Sequence, residues 1–241
     1  MQTDSAMHEW RIEPREYARQ EARRGKRHAY SSLDPVRTAL IVIDMVPFFV
    51  EASPYLRGIV PNIGRLADAL RTVGGLVAWV LPANVAPLAR VSGEFYGPVV
   101  SQTFAATGDE GPPRSRVWHP FDVRPDDLVV EKTAYSAFFP GRCVRPELLT
   151  EREIDTVVIT GALTIVCCES SARDAATTGL RVLMVADANA ARRDQDHNAT
   201  LHTIYRSFGD VRTTNEVLDL IGRPIVLDSR DAAHGVCETS T

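Results

Sequence analysis

Hydrophobic positions along the chain follow two periods in alternation. From Thr38 the segment TALIVIDM is a continuous apolar run reaching Asp44, the profile of a strand buried on both faces. LVAWVLPA (76–83), DDLVVEK (126–132), DTVVITGA (155–162) and RVLMVADA (181–188) repeat that profile. Between the runs the period changes: Ile63, Leu66, Leu70 and Val73 recur at helical spacing over 60–73, closed by Gly74-Gly75. PELLTERE (146–153) predicts a short helix, TIVCCESSARDAATTG a helix closed by Gly179, and DQDHNATLHTIYRSFG another. VRTTNEVLDLI supplies a last strand and a terminal helix. This alternation predicts an α/β, three-layer Rossmann-like fold: a mainly parallel sheet of about six strands with helices on both faces.

Two stretches depart from the pattern. Residues 84–125 are rich in Gly and Pro and contain Trp118 and His119. A loop of that length is functional or carries short elements of its own. Residues 1–35 include the charged stretch WRIEPREYARQEARRGKRHAY, whose weak helical periodicity rests on Trp10, Tyr17 and Ala18. They read as an N-terminal arm or helix lying over the domain or a neighbouring subunit, or as a solvated tail. Residues 36–241 read as a single domain, without repeat or linker.

Composition narrows the function classes. At 241 residues the chain holds one large domain, and a net charge of −4 argues against nucleic acid or an anionic membrane as partner. No apolar run approaches the roughly 20 residues that span a bilayer. The polar first residues predict no signal peptide. Cys143, Cys167, Cys168 and Cys237 show no CxxC spacing and no matching His cluster, which argues against zinc or a disulfide framework and fits a reducing, cytoplasmic location. Dinucleotide, P-loop and nucleophile-elbow motifs are missing and HNATLH is not HExxH, so neither cofactor nor metal is expected. Of 27 basic residues only Lys26 and Lys132 are lysine.

In an open parallel sheet the ligand site lies beyond the carboxyl ends of the strands. Asp44, the Pro82-Ala83-Asn84 turn, Lys132, the Gly161–Cys167 turn and Asp187 fall there. Thr164 is a candidate N-cap, which puts Cys167 in the first helical turn, where the dipole favours a thiolate. The alternative is that both cysteines pack as small hydrophobes. Asp44 is either a general base beside the thiol or a cap or ion-pair partner. Lys132 is either a surface residue or a cation that stabilises a thiolate and a carboxylate. Asp187 reads as a cap in a strand-to-helix turn, and His197 and His202 as exposed.

LIVIDMVPFF, VVEKTAYSAFF and VVITGALTIVCCESSARDAATTGLRVLMVADANA, in this order, resemble the isochorismatase-like cysteine hydrolase superfamily over residues 36–220. That family includes nicotinamidases, N-carbamoylsarcosine and ureidoacrylate amidohydrolases, biuret and maleamate hydrolases, streptothricin hydrolases and isochorismatases. The resemblance implies an Asp44-Lys132-Cys167 triad, with Cys168 at a packing position. It also implies a non-proline cis peptide joining Ala162 and Leu163, and an oxyanion hole from the backbone N–H groups of Leu163 and Cys167. The implied activity is hydrolysis of a C–N bond in a small amide, carbamoyl or lactam substrate through a thioester. Alternatives are vinyl ether hydrolysis of the isochorismatase type, or a catalytically silent member serving binding or assembly. Metal-binding nicotinamidases carry Asp-x-His after the second strand, where this chain has LPANV. Candidate walls are Phe48, Phe49, Asn84, Trp118, Tyr135, Phe138 and Phe139, suited to a small planar or partly apolar amide, although several of these phenylalanines could equally be core. Relatives form dimers or tetramers, so a homodimer or homotetramer is implied, with the arm at its interface.

Overall fold

Six strands, β1 (Thr38–Ile43), β2 (Leu76–Pro82), β3 (Leu128–Lys132), β4 (Thr156–Ala162), β5 (Arg181–Ala190) and β6 (Asp210–Arg212), form one sheet in the order β3-β2-β1-β4-β5-β6. Every pair is parallel. The computed structural model describes residues 4–83, 89–108, 110–143 and 146–223. Its helices are α1 (Pro14–Arg24), α2 (Pro47–Glu51), α3 (Pro54–Thr72), α4 (Ala89–Tyr96), α5 (Pro98–Ala105), α6 (Pro146–Glu151), α7 (Glu169–Thr177), α8 (Asp194–Ser207) and α9 (Thr214–Ile221). The chain leaves β1 for β2 and β3, then crosses back to place β4 on the other side of β1. The carboxyl ends of β1 and β4 therefore flank a topological switch, where open α/β sheets place ligands.

Alternation along β1 sorts the two faces. Leu40 and Val42 pack with Leu56, Ile59, Ile63, Leu66 and Leu70 of α3 and with Val217 and Leu220 of α9. Ala39, Ile41 and Ile43 pack with Ala172 and Ala175 of α7 and with Leu201, Ile204 and Tyr205 of α8. Each large side chain so buried contributes about 2 kcal/mol. Gly161, at φ +111°, is demanded by contact between strands, because a Cβ there would stand 2.1 Å from the Ile43 carbonyl oxygen.

Several expectations shift in the folded chain. The helix expected over 60–73 starts at Pro54 and runs through Pro61, because Leu56 and Ile59 extend its buried face. Residues 84–125 carry α4, α5 and a short 3-10 turn, Pro113–Arg116. Asp187 sits inside β5, not in a strand-to-helix turn, and its carboxylate accepts bonds from Thr214 N (2.7 Å) and Thr214 Oγ1 (2.8 Å) at the start of α9. A register shift between Ile159 and Gly161 lets β5 continue. Asn189 spans it by donating to the carbonyls of Ile159 (2.8 Å) and Val185 (2.7 Å).

The N-terminal segment lies on its own chain. His8 is stacked between Tyr55 and His197, Ile12 joins the core, and Gln20 of α1 donates to the carbonyls of Tyr205 and Arg206. Gly58 makes room for it, since a Cβ there would meet the Ala6 carbonyl oxygen at 1.9 Å.

The edge strand β3 is fixed at its start by Asp127. This buried carboxylate accepts from Arg71 Nε (3.0 Å) and Nη2 (2.5 Å), Trp79 Nε1 (2.8 Å) and Arg124 N (3.0 Å). Burial alone would raise its pKa, but these donors outweigh it and hold the carboxyl below its ordinary range. A depressed pKa means stability that is present above the unfolded value, about 3.9, and lost as pH falls through the folded one. Asp127→Asn is expected to cost about 3 kcal/mol in urea unfolding at pH 7. That difference should shrink in acid, where the wild-type carboxyl is also neutral.

Candidate active site

Asp44, Lys132 and Cys167 come from three strand ends and meet beyond the sheet. Asp44 follows β1 directly, at φ +53°, with its N–H bonded to the Val80 carbonyl at 2.8 Å. An Asp tolerates that left-handed backbone better than a branched residue would. Lys132 is the last residue of β3, and Cys167 lies in a π-helical turn, Thr164–Cys168, that runs into α7. The Lys132 ammonium stands 2.9 Å from Asp44 Oδ2, 3.4 Å from Cys167 Sγ and 3.3 Å from the Ala134 carbonyl. An ammonium has three N–H donors, and all three are engaged. Asp44 Oδ1 is buried without a hydrogen-bond partner among the described residues. It is an open acceptor next to a thiol.

Burial raises the Asp44 pKa, and Lys132 and the Cys167 thiol offset part of the rise. Burial, then the Asp44 charge, pushes the Cys167 thiol up to about 12. The residue keeps part of its surface open, so water screens some of that effect. Lys132 would be lowered by burial, yet Asp44 and Cys167 raise it above the ordinary lysine value. The three groups thus act on one another: the Asp44 charge works against a Cys167 thiolate and Lys132 works for it. Burial and Asp44 together oppose the thiolate expected from a first-turn position.

Thr164 does not act as a side-chain cap. Its hydroxyl lies 2.9 Å from His197 Nδ1, while His197 Nε2 faces the Ala186 carbonyl at 3.0 Å. A carbonyl only accepts, so Nε2 carries the proton and Nδ1 accepts from Thr164. His197, expected on an exposed face, is fully buried, and burial followed by neighbouring His8 pushes its pKa down to about 3. It stays neutral and fixes the start of the turn that carries Cys167. Sequence periodicity misplaced it because its partners lie on β5 and in the N-terminal segment. The Ala162–Leu163 peptide is cis, and the Leu163 carbonyl accepts from Val166 N (3.0 Å) and Cys168 N (3.2 Å). Cys168 is fully buried in the core.

The candidate walls divide. Phe48 meets Phe49 edge-on beside Asp44, Trp118 N donates to the Met45 carbonyl at 2.8 Å, and Tyr135 and Phe139 are exposed after Lys132. Phe138 is a correction: it is buried, in the core cluster that also contains Ala137 and Leu149. Asn84 lies outside the described residues. Tyr96 of α4, which no pattern singles out, joins the group through its hydroxyl, 3.0 Å from that of Tyr135. A cleft of about 540 Å³ lined by Arg71, Arg124 and Arg152 lies at the amino ends of the strands, away from the triad. Among the described residues no group of three His, Cys, Asp or Glu could hold a metal ion, and no helix is long and apolar enough to cross a membrane.

Lys132→Met would leave the Asp44 charge buried and unpaired, a change costing about 3 kcal/mol in denaturant unfolding near neutral pH. The difference is expected to narrow as pH falls through the raised Asp44 pKa, because a protonated carboxyl no longer needs the ammonium.

The geometry has counterparts among known proteins. A family model described as "Isochorismatase domain" matches residues 38–216. The isochorismatase family protein YwoC of Bacillus subtilis is 30% identical over 79% of this chain and 97% of its own. An N-carbamoylsarcosine amidase from Arthrobacter is 27% identical over 77% of this chain and 71% of its own. A solved structure of a cysteine hydrolase from Pseudomonas syringae superposes with a TM-score of 0.68 at 29% identity, covering 80% of this chain and 96% of that one.

Proposed function

The chain belongs to the isochorismatase family, and from that premise we propose that it is a cysteine-dependent amidohydrolase acting on a C–N bond of a small amide, carbamoyl or lactam substrate. The observation that carries the proposal is the Lys132 ammonium held between Asp44 (2.9 Å) and Cys167 (3.4 Å). The amidase among the relatives supports the same class.

The chemistry follows from the charges. Asp44 takes the thiol proton and Cys167 Sγ attacks the carbonyl carbon. The carbonyl π pair moves to oxygen, where the N–H groups of Leu163 and Cys167 receive the oxyanion, each donor lowering the barrier by about 3 kcal/mol. As the tetrahedral adduct collapses, Asp44 passes its proton to the leaving amine or ammonia, and a thioester remains. Asp44 then takes a proton from water, whose oxygen attacks the thioester. The acid departs and Cys167 regains its proton. Lys132 stays charged throughout, balancing whichever of Asp44 and Cys167 is the anion. The exposed rings of Phe48, Tyr135 and Phe139, with Tyr96 bonded to Tyr135, support a planar, partly apolar body attached to the reacting carbonyl.

Ammonia or amine release from a panel of small amides tests this reading. Cys167→Ala should abolish turnover. Cys168→Ala should keep it while costing about 1 kcal/mol of stability. Cleavage of a vinyl ether that survives Cys167→Ala would instead favour the isochorismatase-type reading. The base must be ionised, so kcat/KM should fall on the acid side with a midpoint above the ordinary carboxylate range, as the raised Asp44 pKa requires.

A further inference from the structure

The turn that presents Cys167 is tied to the segment after Lys132 by one buried hydroxyl. Ser171, in α7, donates to the Cys167 carbonyl at 2.6 Å. Back-bonding of this kind within one helix is ordinary for serine. Its second bond is not: the same oxygen accepts the N–H of Ala137 at 2.8 Å, from a loop 34 residues earlier. Both residues are fully buried. An N–H can only donate and a carbonyl can only accept, so the hydroxyl is polarised in one direction, from Ala137 toward Cys167.

The loop so attached is braced internally. Thr133 N donates to the Arg142 carbonyl at 2.9 Å, Arg142 N to the Phe139 carbonyl at 3.1 Å, and Phe138 N to Ser136 Oγ at 3.0 Å. It begins at Lys132, and its Ala134 carbonyl receives the Lys132 ammonium. A shift of Ala137 is therefore passed to the acceptor that aims Lys132. We propose that Ser171 is a positioning residue for the nucleophile. It sets the separation between the Lys132 ammonium and the Cys167 sulfur by locking the loop of one to the main chain of the other. The inference rests on Cys167 being the nucleophile, and it adds a group that never touches the substrate.

The test follows iodoacetamide alkylation of Cys167 against pH in the wild type, Ser171→Ala and Ser171→Thr, with thermal unfolding of each. Ser171→Ala removes the hydroxyl, so the ammonium is no longer held against the Cys167 sulfur, where it favours the thiolate that alkylation requires. Alkylation at pH 7 should slow about tenfold, the effect of a small misplacement at a reacting centre, and its midpoint should move to higher pH. Ser171→Thr, which keeps the hydroxyl, should restore the profile. A merely structural serine would lower Tm and leave the profile where it was, and that result overturns the inference. If Ser171→Ala does not fold, amide exchange in the wild type decides: Ala137 N–H must be protected like the sheet strands, and exchange at the rate of an open loop overturns the inference. Failure of the functional reading looks different. In that case Cys143 is labelled faster than Cys167 in the wild type, or amide turnover survives Cys167→Ala.

Discussion

A carboxylate at the end of a strand as apolar as β1 is stable only if a cation meets it there, and the ammonium of Lys132 meets Asp44 at 2.9 Å. Most of the surrounding architecture follows from that requirement. The cation has to come from a strand two positions away in the sheet, so β3 must be held in register although it is an edge strand. Asp127 supplies that restraint by gathering Arg71, Trp79 and Arg124 at the start of β3. The same ammonium then has one N–H left for the thiol and one for the Ala134 carbonyl. One ammonium thus joins the buried ion pair to the thiol and to the loop after β3.

The turn that carries Cys167 meets a different constraint. Burial and the neighbouring carboxylate work against a thiolate there, so the position of the turn matters more than its dipole. Both ends of the turn are fixed by buried hydroxyls. Thr164 gives its proton to His197, and Ser171 gives its proton to the Cys167 carbonyl. His197 is in turn backed by His8, which bonds Asp194 at 2.6 Å and accepts the Ala191 N–H at 3.0 Å. The N-terminal segment is thereby part of the support for the turn that carries Cys167. It is more than a cover over the domain.

Much of the fold and the principal site was readable along the chain. Strands buried on both faces have an unmistakable profile, and TALIVID, DLVVEK and the Gly161–Cys167 block place an acid, a cation and a thiol at strand ends, where parallel sheets put their ligands. What escaped reading depends on contacts between distant segments. His197 sits in a helix whose polar sequence suggests exposure, yet its partners are a strand carbonyl and a threonine on other elements. Phe138 and Phe139 are adjacent and alike in sequence, and one is core while the other faces out. Tyr96 stands in a Gly- and Pro-rich stretch without period, so nothing local marks its hydroxyl as the partner of Tyr135.

The sequence by itself therefore determined the layer order and placed Asp44, Lys132 and the Gly161–Cys167 turn at strand ends, because periodicity and strand-end position are local properties of the chain. The family came from the resemblance of whole motifs. Tertiary structure decided protonation and support. Whether Cys167 rests as thiol or thiolate depends on how deeply Asp44 and Lys132 are buried around it, and desolvation is a property of the whole packed sheet. Whether Ser171 is an ordinary helical serine or a tie between the Cys167 turn and the loop after Lys132 depends on where a loop 34 residues away comes to rest.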